Sequence, residues 1–311
     1  MAVQADEAAQ AGWLTPSPSA NRRRDLAARL ADWYQQAARD LPWRHPGTTP
    51  WGVVVSEVMA QQTPVLRVVP YWQRWLAAWP RPSDLAAASP ADVIRAWGTL
   101  GYPRRGLRLR DCAVTLVASY GGEVPPDEAT LRGLPGLGRY SAAAIASFAF
   151  GRRAVVLDTN IRRVVARVWE AEGWPPPSPT AAEWARAGEL LPIDPAESVA
   201  WNRATMELGA LICRARQPDC AVCPIQSDCA WYAEGCPGDP AARPPGQPYH
   251  GTDRQARGRV LALLRQMDGE SLPTAAIIAA LPQPDQAERA IASLVADGLA
   301  VRDGAALRLP E

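Results

Sequence analysis

Three groups of residues in this 311-residue sequence have types and spacings that chemistry could use: a cysteine cluster, two carboxylates beside helical patterns, and a glycine-rich turn among arginines. Cys213, Cys220, Cys223 and Cys229 follow the pattern C-x6-C-x2-C-x5-C. Four soft thiolates in one short loop form the ligand set of a tetrahedral zinc ion or of a 4Fe-4S cluster, and thiolate chemistry alone does not separate the two. Two disulfides are the plainer reading, but they fit poorly with the tight spacing and with an expected reducing compartment. Arg214 and Arg216 stand between the first two ligands, placed to offset cluster charge or to face an outside anion. Cys112 and Cys236 fall outside the pattern and read as a core residue and a linker residue.

Glu57 lies in Trp51-Gly-Val-Val-Val-Ser-Glu-Val-Met-Ala-Gln-Gln-Thr63, a helical pattern that gives it Val53, Val54, Ala60 and Gln61 as neighbours. A carboxyl among aliphatic side chains is costly unless neutral or paired, and desolvation would make it a proton donor near neutrality. A surface glutamate, or one paired with an arginine, explains the same segment at least as well. Asp158 ends the apolar run Ala154-Val-Val-Leu157 and opens the helical pattern Thr159-Asn160-Ile-Arg-Arg-Val-Val-Ala-Arg167. Aspartate is a favoured helix cap, and a carboxylate held ionised by helix N–H groups also suits a cationic, sugar-like transition state. The turn Leu134-Pro135-Gly136-Leu137-Gly138, followed by Arg139 and Tyr140, joins two helical stretches. Most such turns only connect helices. Glycine nevertheless lets backbone N–H groups approach a phosphate, and the start of the following helix favours an anion.

These groups need a scaffold, and the composition describes one. A chain 48% hydrophobic and 21% charged is long enough for two or three globular domains. No uninterrupted apolar run approaches a membrane span, and the opening residues, with Asp6 and Glu7, do not read as a leader. A cytoplasmic protein is expected. Net charge is only +1, yet twelve arginines face five acids between Arg95 and Arg167. The sequence contains no lysine, which removes every side-chain amine and with it any lysine Schiff base.

Residues 1–20 read as a flexible arm, residues 21–235 as an almost wholly helical domain carrying the cysteine loop 213–229, and residues 236–250 as a proline-rich linker. Residues 251–311 give three helical patterns, Arg254–Met267, Pro273–Leu281 and Pro284–Ala296, then two extended runs around Asp303-Gly304, a winged-helix-like order. Seven arginines against eight acids in that module favour packing or docking a protein partner over gripping DNA.

Leu41-Pro-Trp43, Ser56-Glu-Val-Met-Ala-Gln-Gln-Thr63, Leu100-Gly-Tyr102, Leu134-Pro-Gly-Leu-Gly138, Val156-Leu-Asp-Thr-Asn160 and the cysteine loop occur in an order that resembles the helix-hairpin-helix DNA glycosylases, specifically the MutY-type adenine glycosylase branch. The match spans residues 40–230. It implies an all-α fold of two modules with the active site in the cleft between them, a 4Fe-4S cluster rather than zinc, and action on double-stranded DNA that contains adenine mispaired with 8-oxoguanine or guanine; a monomer is expected. By that resemblance Glu57 protonates N7 of adenine, Asp158 stabilises the oxocarbenium-like sugar, and Asn160 supports Asp158. Tyr140 stands where the endonuclease III branch carries its Schiff-base lysine, so base removal should be hydrolytic and monofunctional. Gln62 and Tyr102 match residues that fill the stack when the base is flipped out, while Leu134, Gly136, Gly138 and Arg139 form the backbone-gripping hairpin.

Two departures stand out. Only 61 residues follow His250, whereas the family commonly ends in a larger Nudix-like domain that inspects 8-oxoguanine. Pro103 stands where another tyrosine is common. The alternatives are a thymine glycosylase for G·T mispairs, whose branch shares the tyrosine and the cysteine loop, and a non-catalytic cluster-bearing DNA sensor. The presence of both Glu57 and Asp158 argues against the sensor.

Overall fold

The protein is described here by a computed structural model covering residues 18–238, 249–267 and 269–311. Most of the expected arm, and residues 239–248 of the expected linker, lie outside these. The chain folds into two compact units, each assembled from separate stretches of sequence.

One unit comprises Pro42–Pro125, Thr130–Leu137 and Pro245–Glu311. Its helices start where capping residues meet proline: Thr49 before Pro50–Ala60 and Ser89 before Pro90–Trp97, each side chain accepting an N–H of the first turn. Pro82–Ala87 packs on the long helix Arg104–Tyr120, which Gly121 ends in the left-handed conformation at φ 62°. The core between these helices holds fully buried Trp75 and Trp97, whose rings meet edge to face at 5.6 Å.

Residues 249–311 belong to this same unit. They fold as Asp253–Gln266, a short strand Leu272–Pro273, the helices Thr274–Ala279 and Pro284–Ala296, and the hairpin Val301–Asp303 with Ala306–Arg308. The two hairpin strands pair as expected, and the turn is Gly304-Ala305 rather than Asp303-Gly304, with Gly304 at φ 58°. Leu272–Pro273 adds an unexpected third strand, so the sheet order runs first, third, second. A strand of two residues is too short to show a period of its own in sequence. Val260, Leu264, Ile291, Leu294 and Leu307 share one core with Ile94, and Leu107 packs against it. Polar ties reinforce the seam, with Arg265 donating to the Ile94 carbonyl at 3.1 Å and Arg104 meeting Asp297 at 3.1 Å.

The other unit comprises residues up to Leu41, Pro126–Ala129 and Gly138–Pro244. Its first described helix is Ala20–Ala37, capped by Ser19 inside the expected arm. The central helix Pro195–Leu211 packs against Ala20–Ala37, Arg139–Phe150 and Thr159–Glu170. Ion pairs to buried carboxylates hold the layers: Arg39, itself half-buried, with Glu207 at 2.7 Å, Arg162 with Glu183 at 2.7 Å and Arg186 with Glu170 at 2.8 Å. The arginine-rich stretch is therefore less of a cationic surface than its count implies. Arg105, Arg162, Arg163 and Arg167 are buried, their guanidinium groups spent on internal oxygens.

Candidate active site and cysteine loop

Thr49 and Pro50 start the helix that carries Glu57, and every residue from Trp51 to Met59 is buried. Glu57 is 9% exposed, so it is not a surface glutamate. The chain then turns sharply at exposed Gln62, which takes φ 55°. Tyr102 also has positive φ, 48°, and is 50% exposed. Pro103 adopts φ −62° just ahead of Arg104–Tyr120, a geometry that suits proline and leaves the Tyr102 ring in the open.

In the glycine turn, Leu131, Leu134 and Leu137 are buried anchors. Gly136 takes φ 79°, and a Cβ there would lie 3.2 Å from the Arg108 Cβ, so glycine is needed for both conformation and approach. The Gly136 carbonyl accepts from the Gln61 side chain at 3.3 Å, which ties the turn to the end of the Glu57 helix. Gly138 precedes helix Arg139–Phe150, whose first turn has no side-chain cap and no acid. Arg139 stacks its guanidinium 3.6 Å over the Trp184 ring, and Tyr140 is half-buried at the helix start.

Asp158 caps the helix Thr159–Glu170. Its Oδ1 accepts the Ile161 N–H at 2.7 Å and its Oδ2 accepts the Asn160 amide at 2.8 Å. Burial pushes the carboxyl above its ordinary range, against the opposing pull of the Ile161 and Asn160 donors and the nearby Arg163 charge. Arg163 donates to Asn160 Oδ1 at 2.9 Å, to the Gly209 carbonyl at 2.6 Å and to the Cys213 carbonyl at 2.7 Å. One guanidinium thus links the capping carboxylate's neighbour to the backbone of the first cysteine.

Cys213, Cys220, Cys223 and Cys229 line one cavity of about 20 Å³. Burial, reinforced by the other sulfurs, pushes Cys220 up to about 11. For Cys223, burial opposed by a backbone N–H gives the same result, about 11. Thiols so placed do not ionise unaided, and a cationic centre among them is what would hold four thiolates together. The donor set therefore fits a bound metal centre, although among the described residues no three such side chains converge as for a single ion. Of the two roles open to Arg214 and Arg216, the exposure of both side chains fits facing an outside anion better than offsetting charge at the sulfurs. Arg214 turns to the Gln217 carbonyl at 3.1 Å, and both side chains are exposed. The buried cation is Arg167, fully enclosed, 3.4 Å from the Cys213 sulfur and 4.4 Å from the Trp231 ring centre. Sequence reasoning passed it over because it sits a helix away; its only signal is the Asn160-x-x-Arg163-x-x-x-Arg167 spacing, which puts all three on one face.

Residues 55–189 match the HhH-GPD superfamily of base excision DNA repair proteins. An adenine DNA glycosylase of Mycolicibacterium smegmatis is 46% identical over 270 residues, covering 87% of this chain and 90% of that protein. The chain belongs to the adenine DNA glycosylase family. A relative of the same name from Mycobacterium tuberculosis is 44% identical over 93% of this chain and 95% of its own. The fold is also that of a thermostable thymine-DNA glycosylase, with a TM-score of 0.60 over 69% of this chain and 98% of that one, at 24% identity. The protein is thus a base-excision DNA glycosylase that acts on adenine.

One residue of this adenine glycosylase escaped the sequence reading. Gly209, buried in helix Pro195–Leu211, lies so close to the start of the Asp158 helix that a Cβ there would meet the Asn160 Cβ at 2.6 Å and its carbonyl oxygen at 2.8 Å. No rotamer relieves a clash with backbone. Gly209→Ala should push Asn160 away from Asp158, lower stability by about 1–3 kcal/mol and reduce adenine release by roughly 10-fold or more. A thermal melt beside single-turnover base release checks both, and an unchanged release rate would show that Asn160 tolerates the shift.

Proposed function

We propose that this glycosylase removes adenine mispaired with 8-oxoguanine or guanine in double-stranded DNA, by monofunctional hydrolysis, as a monomer. The contrast between two carboxyl groups carries this reading. Glu57 sits in a helix whose residues from Trp51 to Met59 are all buried, whereas Asp158, although burial pushes its carboxyl above the ordinary range, is gripped by N–H donors at a helix start, with Arg163 nearby. One is suited to give a proton and the other to face a cation.

Glu57 delivers its proton to N7 of the flipped adenine. The bond between the base and the sugar C1′ then breaks with its electron pair leaving on a neutral base. Asp158, steadied by Asn160, faces the positive charge that develops on the sugar, and water adds at C1′ while one of its protons returns to the Glu57 carboxylate. Tyr140 stands where a lyase-type relative would carry its amine, and the sequence holds no lysine to take its place. Gln62 and Tyr102 fill the vacated stack from exposed turns, while the hairpin Leu134, Gly136, Gly138 and Arg139 holds the backbone. Cys213, Cys220, Cys223 and Cys229 would hold a 4Fe-4S cluster, which when bound fastens the loop that Arg163 and Arg167 grip. The winged-helix-like residues 251–311 pack on the Glu57 unit and offer a surface for a protein partner. No described helix is long and apolar enough to cross a membrane, and we assign the protein to the cytoplasm, on the nucleoid when bound to DNA.

Duplexes carrying A·8-oxoguanine, A·G, A·C and T·G, each assayed for strand breaks with and without alkali, test the proposal. Breaks at adenine only after alkali, fastest opposite 8-oxoguanine, are expected. Breaks without alkali would overturn the monofunctional reading, and equal rates on all adenine mispairs would overturn the 8-oxoguanine preference.

A further inference from the structure

Arg105 is 8% exposed, yet every oxygen it bonds is neutral. Its Nη1 donates to the carbonyls of Val58 at 3.1 Å, Met59 at 3.0 Å and Gln61. Its Nη2 donates to Thr63 Oγ1 at 2.9 Å and to the Gly101 carbonyl at 3.0 Å. The guanidinium carbon lies 5.2 Å from the Trp97 ring centre and 5.7 Å from that of Tyr102. Burial lowers its pKa to about 10, the mark of a cation kept indoors without a carboxylate partner. Such a placement is expensive. The Trp97 seat is also fixed, because Gly106 presents bare backbone to that ring and a Cβ there would come within 2.9 Å.

Its bonds bracket two strained residues. Gln62 lies between the Gln61 carbonyl and the Thr63 hydroxyl, and Tyr102 directly follows Gly101. Both are non-glycine residues with positive φ, a conformation costing about 1–2 kcal/mol each that persists only when the surroundings over-determine it. A planar fork with five donors can bond two loops at once, which a lysine ammonium cannot do in one geometry.

We propose that Arg105 is a positioning residue that locks the Gln62 turn and the Tyr102 turn into one rigid pair, so that both fill the base stack together when adenine is extruded. This rests on the stack-filling reading of Gln62 and Tyr102 above. Without the clip each turn relaxes toward negative φ on its own and extrusion loses its support, and the Val58 and Met59 carbonyls at the end of the Glu57 helix lose a donor as well.

The test is a mutant cycle on full-length protein with an A·8-oxoguanine duplex, read by single-turnover base release and by the fluorescence rise of 2-aminopurine set in place of the adenine. Arg105→Lys should slow release by about 100-fold and flatten the fluorescence rise, the scale expected for misplaced positioning groups. Thr63→Val, which removes one arm only, should give an intermediate loss and carries the comparison if the lysine variant does not fold. In a Gln62→Ala, Tyr102→Ala background, either change should then cost less than about three-fold more, because coupled residues are not additive. Losses that multiply in full would show a merely structural Arg105 and overturn the proposal. A Gln62→Ala, Tyr102→Ala protein working at the parent rate would instead overturn the stack-filling reading, and the clip with it.

Discussion

Glu57→Gln should bind a mispaired duplex nearly as tightly as the parent and release adenine roughly 10²–10⁴-fold more slowly, the range spanned by loss of a general acid. The substitution is close to isosteric. It sits in a helix whose neighbours Val53, Val54 and Val58 are buried, so shape and packing are kept while the carboxyl proposed as the proton donor is removed. An amide can donate a hydrogen bond but cannot hand over a proton to a departing purine. Duplex affinity of DNA-binding proteins rests largely on phosphate contacts, so affinity here should not follow the rate. Gel-shift titration beside single-turnover release separates the two quantities. Adenine release at the parent rate would remove Glu57 from the chemistry altogether.

Asp158→Asn makes the complementary prediction, since stability and activity should part company. Asparagine caps a helix about as well as aspartate, and its Oδ1 can keep the Ile161 N–H now held at 2.7 Å. The Asn160 donor at 2.8 Å loses its acceptor, at a cost of about 1 kcal/mol. Against this stands a gain. The folded carboxyl titrates above its ordinary range because it is buried, so ionising it works against folding once the pH exceeds the unfolded-state value. That penalty is absent below the unfolded value and complete above the folded one; a neutral amide escapes it. The two effects offset, and near neutrality the melting temperature should move by only a few degrees. On the proposed reading of Asp158, adenine release should nevertheless fall by about 10²–10³-fold, because the charge that would face the sugar cation is gone. A variant that melts far below the parent while retaining the rate would mark Asp158 as a cap and nothing more.

Much of this site was legible in the sequence because its signals are local. The cysteine spacing, the Asp158 cap and the Leu134–Gly138 turn each lie within a few residues, and helical periodicity located the elements that hold them. The C-terminal helices and hairpin were legible for the same reason, while the two-residue strand Leu272–Pro273 was not, since its pairing with Ala306 and Leu307 is made across more than 30 residues.

What the sequence alone determined is the inventory: which carboxylates, which thiols, no amine, and helices in a recognisable order. Tertiary structure decided the environment of each group. It buried Glu57, where the segment by itself favoured a surface or paired residue at least as much. It made Arg167, not Arg214 or Arg216, the cation at the cysteines, and it turned several arginines of the arginine-rich stretch inward. It also required Gly209 for Asn160 and set Arg105 between two strained turns. Burial and long-range hydrogen bonds are sums over residues distant along the chain, so no window of sequence contains them, whereas caps, turns and ligand spacings are complete within one.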